Sequence, residues 1–94
     1  MNYKINVSAN DIDEGFRCDA SECPITLAVR RLFPHASTVI TVSAYVRLWF
    51  DLPDRTLVYK AFLPRSASRF MHAFDNLKVV GPFNFIMNLE QVNA

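Results

Sequence analysis

Between Thr38 and Phe50 the chain runs thirteen residues without a glycine, proline or asparagine, and one parity is wholly apolar. Ile40, Val42, Ala44, Val46, Leu48 and Phe50 alternate with Val39, Thr41, Ser43, Tyr45, Arg47 and Trp49. Period-2 alternation is the signature of a strand with one buried face, so a single long strand is expected over 38–50. Asp51-Leu-Pro-Asp54 then supplies a turn. Thr56 to Leu63 returns as the partner, which makes a long central hairpin over 38–63.

The flanking segments carry their own periods. Tyr3, Ile5 and Val7 alternate with Asn2, Lys4 and Asn6 as an opening strand. Ser8 is placed to cap a short helical turn, with Asp11 as its capping-box partner and Gly15 as the stop. A second helix is expected to start between Ser21 and Pro24, because proline is tolerated in a first turn. Ile25, Ala28, Val29 and Leu32 form its core face, and Pro34 ends it. Pro64 opens a further helix with Ala67, Phe70, Met71 and Phe74 on one side and Arg65, Arg69, His72 and Asn76 on the other. A last strand over 79–89 turns Phe83, Phe85, Met87 and Leu89 inward. The order is β-α-β-β-α-β within one domain, residues 1–94. It predicts an α+β fold: a four-stranded, mainly antiparallel sheet with two helices on one face, in the ferredoxin-like manner.

Hydrophobic residues make up 51% of the 94, so one core can form and disorder is excluded. The formal net charge of +1 is unevenly spread, with −3 over residues 1–24 and +4 over the remainder. An acidic corner and a weakly basic body follow. The opening MNYKINVSAND has no apolar stretch of the signal-peptide kind, and no run approaches the roughly 18 residues of a membrane span. A soluble protein of the cytoplasm, with no membrane partner, is the expectation. Cys18 and Cys23 would remain thiols there.

Three places in the chain carry a family resemblance. They are Asp11-Ile12 with Gly15 after the opening strand; Cys23-Pro24-Ile25 leading into Leu27-Ala28; and Phe62-Leu63-Pro64 followed by Phe70, Phe74-Asp75-Asn76 and Pro82-Phe83-x-Phe85. In these the chain resembles a family of small, largely uncharacterised tailed-bacteriophage proteins. Thr26 stands where that pattern often has alanine, and Leu77 where it has glycine. The resemblance implies a phage setting, in the cytoplasm of an infected host cell, and brings no activity with it.

Chemistry is thinly supplied. Cys18 and Cys23 with His35 and His72 lack the paired spacing of structural zinc, so no metal or cofactor is expected. Cys23 at a helix N-terminus could have a lowered thiol pKa. No glycine-rich oxyanion loop accompanies it, and His35 is the only base in view. A thiol- or metal-dependent enzyme therefore ranks last, and no catalytic residue is assigned. Binding is the better-supplied class. On a helical wheel Leu27 points about 160° from the core direction, at 100° per residue, flanked by Cys23, Arg30 and Arg31. Tyr45, Arg47 and Trp49 occupy the outer parity of the long strand. Leucine, arginine and aromatics of this kind have the composition of interface hot spots. The expected function is that of a non-enzymatic phage protein that binds another protein, a host factor or immune effector that it inhibits, or a second copy of itself along the long strand. Against this stands the reading in which the acidic stretch from Asp11 to Asp19 folds over Leu27 and takes up both arginines. The alternative function is single-stranded nucleic-acid binding. Lys4 and Lys60 would join the outer sheet face, and Arg65, Arg69 and His72 would offer a second basic face.

Overall fold

Ser8 starts the first helix by a reciprocal exchange. Its hydroxyl accepts from the Asp11 N–H at 3.1 Å, while the Asp11 carboxylate accepts from the Ser8 N–H at 2.8 Å. This capping box fixes α1, Ala9–Glu14, directly after β1, Asn2–Val7. The computed structural model describes residues 1–42 and 44–93. The further elements are α2 (Pro24–Leu32), β2 (Thr38–Thr41), β3 (Tyr45–Asp51), β4 (Thr56–Phe62), α3 (Arg65–Asp75), β5 (Phe83–Asn88) and β6 (Glu90–Gln91).

The fold is α+β, with its strands in two antiparallel sheets. One has the order β2-β3-β4-β6 and the other pairs β1 with β5. This differs from the single ferredoxin-like sheet expected from connectivity. The last strand divides at Leu89: its first part pairs with β1 and its second with β4. Leu89 itself is buried.

The long strand expected over 38–50 is two strands. Val42 and Tyr45 exchange backbone hydrogen bonds at 2.9 and 3.3 Å, and β2 folds back onto β3 with Thr38 opposite Trp49 and Thr41 opposite Val46. Such a reversal inverts the parity. Val39 and Thr41 are buried in β2, with Val46 and Leu48 in β3, so Ile40 and Val42 are not the inward residues of the first half. The turn Leu52–Arg55 and the register Asp51↔Thr56 agree with the second hairpin.

One core holds the layers together. It joins Ile5 and Val7, Ile25, Ala28 and Val29, Val39, Val46 and Leu48, Ala67, Phe70, Met71 and Phe74, and Phe85 and Met87. Helix α2 packs against both β1 and β2. At one end Tyr3, Phe33, Phe50 and Tyr59 form a chain of edge-to-face rings. At the other, Phe70 of α3 lies 4.5 Å from Phe83, which stacks on Phe85.

Two residues of α2 depart from the helical wheel. Cys23 is fully buried rather than outward, because it is the N-cap with extended φ and ψ of −72° and 161° and does not follow helical pitch. Leu32 is 46% exposed, and the following Phe33 takes the interior place against Tyr3 and Phe50. Thr26 is buried as well. Its hydroxyl lies 2.6 Å from the Ala20 carbonyl and 2.7 Å from the Thr41 hydroxyl, tying the loop before α2 to β2. Helix α3 ends in a Schellman arrangement: Lys78 N–H to the Ala73 carbonyl, Leu77 N–H to the Phe74 carbonyl, and Leu77 at φ 64°.

Candidate functional site

The helix surface and the outer sheet face have different fates. On the helix, Arg31 lies against Asp11, with Nη1 at 2.7 Å from one carboxylate oxygen and Nη2 at 2.9 Å from the other. Nη2 also donates to the Asn6 carbonyl. Asp11 is buried, and burial by itself would raise its pKa. The hydrogen bonds from Arg31 and from the Ser8 backbone and hydroxyl, with the charge of Arg31, outweigh that and hold the carboxyl below its ordinary range. The hydrogen bond that Arg31 donates to Asp11 in turn raises the Arg31 pKa, against partial desolvation. Arg30 reaches Glu22 at 3.2 Å and the Ser21 carbonyl at 2.6 Å. Leu27 is half-buried and lines an open groove with Asn10, Asp11, Glu14 and Pro34. The two arginines thus serve the acidic corner of their own chain. As a docking site, the Leu27, Arg30, Arg31 cluster has lost its free cations.

The outer sheet face is built by register. Inward-facing Val46, Leu48 and Ala61 leave Tyr45, Arg47 and Trp49 on the opposite side of β3, with Val58, Lys60 and Phe62 beside them on β4. Arg47 lies directly across from Lys60. Each cation lies against two aromatic rings, and Tyr45 is common to both. The Arg47 guanidinium carbon is 5.5 Å from the Tyr45 ring centroid and 5.9 Å from that of Trp49. The Lys60 ammonium is 4.1 Å from Tyr45 and 4.9 Å from Phe62. The Arg47 Nε is buried and has no hydrogen-bond partner among the described residues. Among the described residues neither cation is in an ion pair; the pairs found there are Arg30–Glu22 and Arg31–Asp11. Trp49 is half-buried, not sealed in the core.

Sequence reasoning missed Phe62 as a member of this face, although it is 70% exposed. Its parity with Lys60 was the available signal. Lys4 does not join the cluster. It belongs to the β1–β5 sheet, opposite Ile86, and lines a shallow groove against Ala28 and Leu32 of α2. Arg65, Arg69 and His72 are exposed on α3. His72 borders a recess of about 380 Å³ of mixed lining, with Cys18, Asp19, Thr41, Met71 and Asp75. There the Cys18 backbone N–H, at φ 55°, donates to Asp75 at 2.9 Å. Among the described residues no group of three or more His, Cys, Asp or Glu side chains is placed to hold a metal ion, and no helix is long and apolar enough to cross a membrane. Of the two strands that make up the expected pairing edge, β3 is flanked by β2 and β4, while β2 is itself an outer strand of its sheet. An apolar groove of about 320 Å³ opens beneath Tyr3, Phe33, Phe50, Leu57 and Tyr59.

No family model, curated protein or solved structure matches this chain.

Proposed function

We propose that this chain is a non-enzymatic binding protein whose contact surface is the outer face of β3 and β4, formed by Tyr45, Arg47, Trp49, Lys60 and Phe62. The carrying observation is the ring-flanked guanidinium of Arg47, whose buried Nε has no hydrogen-bond partner among the described residues. A buried donor without an acceptor is a standing cost in the free protein. A partner that brings a carboxylate or carbonyl to that spot, surrounded by apolar side chains, removes the cost and covers the rings. The partner is therefore a protein surface with an acidic group set among apolar ones. The phage setting, and a host factor or immune effector as the protein that is bound and inhibited, rest on the motif resemblance alone.

Nucleic acid is the weaker reading because the cations are dispersed. Phosphate recognition relies on several cations neutralising one backbone path. Here Arg30 and Arg31 are paired, Lys4 is on the other sheet, and Arg65 and Arg69 are on α3.

The test is capture from host lysate with three chains: the natural one, Arg47→Glu, and Leu27→Glu as a control on the helix. The reading expects one protein to be retained by the natural chain and by Leu27→Glu, and lost with Arg47→Glu. Retention by Arg47→Glu overturns it. So does a salt-sensitive gel shift with short single-stranded oligonucleotides that Arg47→Glu abolishes, which would give the same face to nucleic acid.

A further inference from the structure

Backbone groups along a strand point alternately to its two sides, so one hydrogen-bonded pair fixes the direction of all the others. Leu89 N–H donates to the Met1 carbonyl at 2.9 Å, and the Met1 amine lies 3.3 Å from the Leu89 carbonyl. From that pair, Tyr3–Met87, Ile5–Phe85 and Val7–Phe83 are the bonded pairs of the β1–β5 ladder. The N–H and C=O groups of Asn84, Ile86 and Asn88 therefore point away from β1. On that side β4 is paired only with residues 90 and 91, and Val92 N–H donates to the Val58 carbonyl; the ladder does not continue to Phe62 and Asn88. No backbone partner serves Asn84, Ile86 or Asn88 on this side among the described residues.

Of the other three edge strands, β6 is two residues long and carries Glu90, and β1 and β2 are guarded. At β2 the outward Thr41 N–H is taken by the Ala20 carbonyl at 2.9 Å. At the free side of β1 the Asn6 carbonyl is taken by Arg31, and Lys4 places a charge at the centre of the edge. The β5 edge has neither guard. Its sequence, Phe83-Asn-Phe-Ile-Met-Asn88, contains no charge and no proline. Ile86 at its centre is 56% exposed, and Phe62 and Asn88 line a cleft at its end.

We propose that a second copy of this chain pairs antiparallel along this edge, β5 to β5, about a two-fold axis at Ile86. That register sets Ile86 against Ile86 of the second copy and Asn84 against Asn88. The backbone groups that β1 leaves unused then complete one another. The edge is its own complement: an uncharged strand meets no like charge across the axis, and side-chain amides carry both donor and acceptor. The second copy is the occupant this argument selects, because the uncharged edge matches itself residue for residue about the two-fold axis.

Sedimentation equilibrium of the full chain, with amide hydrogen exchange on the same samples, tests this. The natural chain is expected to be a monomer–dimer system. Asn84, Ile86 and Asn88 amides should gain protection as the dimer fills. Ile86→Lys sets like charges across the axis and is expected to be monomeric, with those amides unprotected while Phe85 and Met87 stay protected by β1. Ile86→Pro removes the central donor without touching a bond to β1 and should give the same result. Retained Phe85 and Met87 protection shows that each variant is folded; where one is not, the other decides. The proposal is overturned by a natural chain that stays monomeric at every concentration, by a dimer that survives both folded variants, or by growth past the dimer. Protection of the edge amides in a monomer only on adding a foreign extended peptide would also overturn it.

Discussion

Arg31 on α2 and Arg47 on β3 carry the same guanidinium into opposite circumstances. Arg31 reaches forward to a buried carboxylate, supports the capping box of α1, and becomes part of how the chain holds its shape. Arg47 lies between two rings, with a buried Nε that has no acceptor among the described residues. The same side chain is structural where a carboxylate lies within reach, and available where only aromatic faces do. The acidic stretch at 11–19 offered one of two readings for Arg31; three-dimensional charge pairing decides between them.

The largest expected effect is at the paired arginine. Asp11→Ala removes the acceptor of both Arg31 and the Ser8 N–H. Stability in urea should fall by about 2 kcal/mol, less than a fully buried pair would lose, because the Arg31 side chain is 54% exposed. A loss below about 0.5 kcal/mol would reduce this corner to an ordinary surface contact. The same pair sets a pH dependence. The folded-state pKa of Asp11 is depressed, so the stability it contributes is complete above the ordinary carboxylate range. It is lost as pH falls through that range to the lower folded value. Urea midpoints of the natural chain and Asp11→Asn should therefore converge in acid and separate toward neutrality. Parallel profiles would sink the assignment.

At the other pole, Arg47→Met keeps the length and the ring cover while deleting the unpaired donor. Stability should be unchanged or rise by about 1 kcal/mol, while binding to the captured partner is lost. A marked thermal destabilisation would show that Arg47, like Arg31, is held by its own chain. Leu77→Gly lies outside both regions and calibrates them. It relieves a left-handed leucine at the end of α3 and should stabilise by about 0.5–1 kcal/mol in thermal unfolding. The smallest effect belongs to Arg30→Ala. Its pair with Glu22 is exposed on both sides, and a change within about 0.5 kcal/mol is expected.

Much of the fold was legible because burial and backbone period agree. The capping box at Ser8, proline at the start of α2, the buried face of α3 and the hairpin at 52–55 all follow from local chemistry. The reversal between Val42 and Tyr45 was not legible. The sequence there has no glycine, proline, asparagine or aspartate, and its apolar alternation runs unbroken from Thr38 to Phe50. Sheet order escaped for a related reason: which strand Leu89 lets the chain reach is a long-range matter that no local period records. In the candidate site, parity placed Tyr45, Arg47 and Trp49 together. Lys60 was expected on the same face and lies there; the register adds Phe62 beside it and takes Lys4 away. The wheel failed at Cys23 because a capping residue is not yet helical.

Gly15 has a consequence of its own. A β-carbon there would come within 2.7 Å of the Pro24 ring and 2.8 Å of the Asp11 carbonyl oxygen, although its φ of −71° suits any residue. The constraint is room, not backbone freedom. In a saturation library, position 15 should show as a single-site gap in tolerance, closed even to alanine, next to a permissive exposed Phe16.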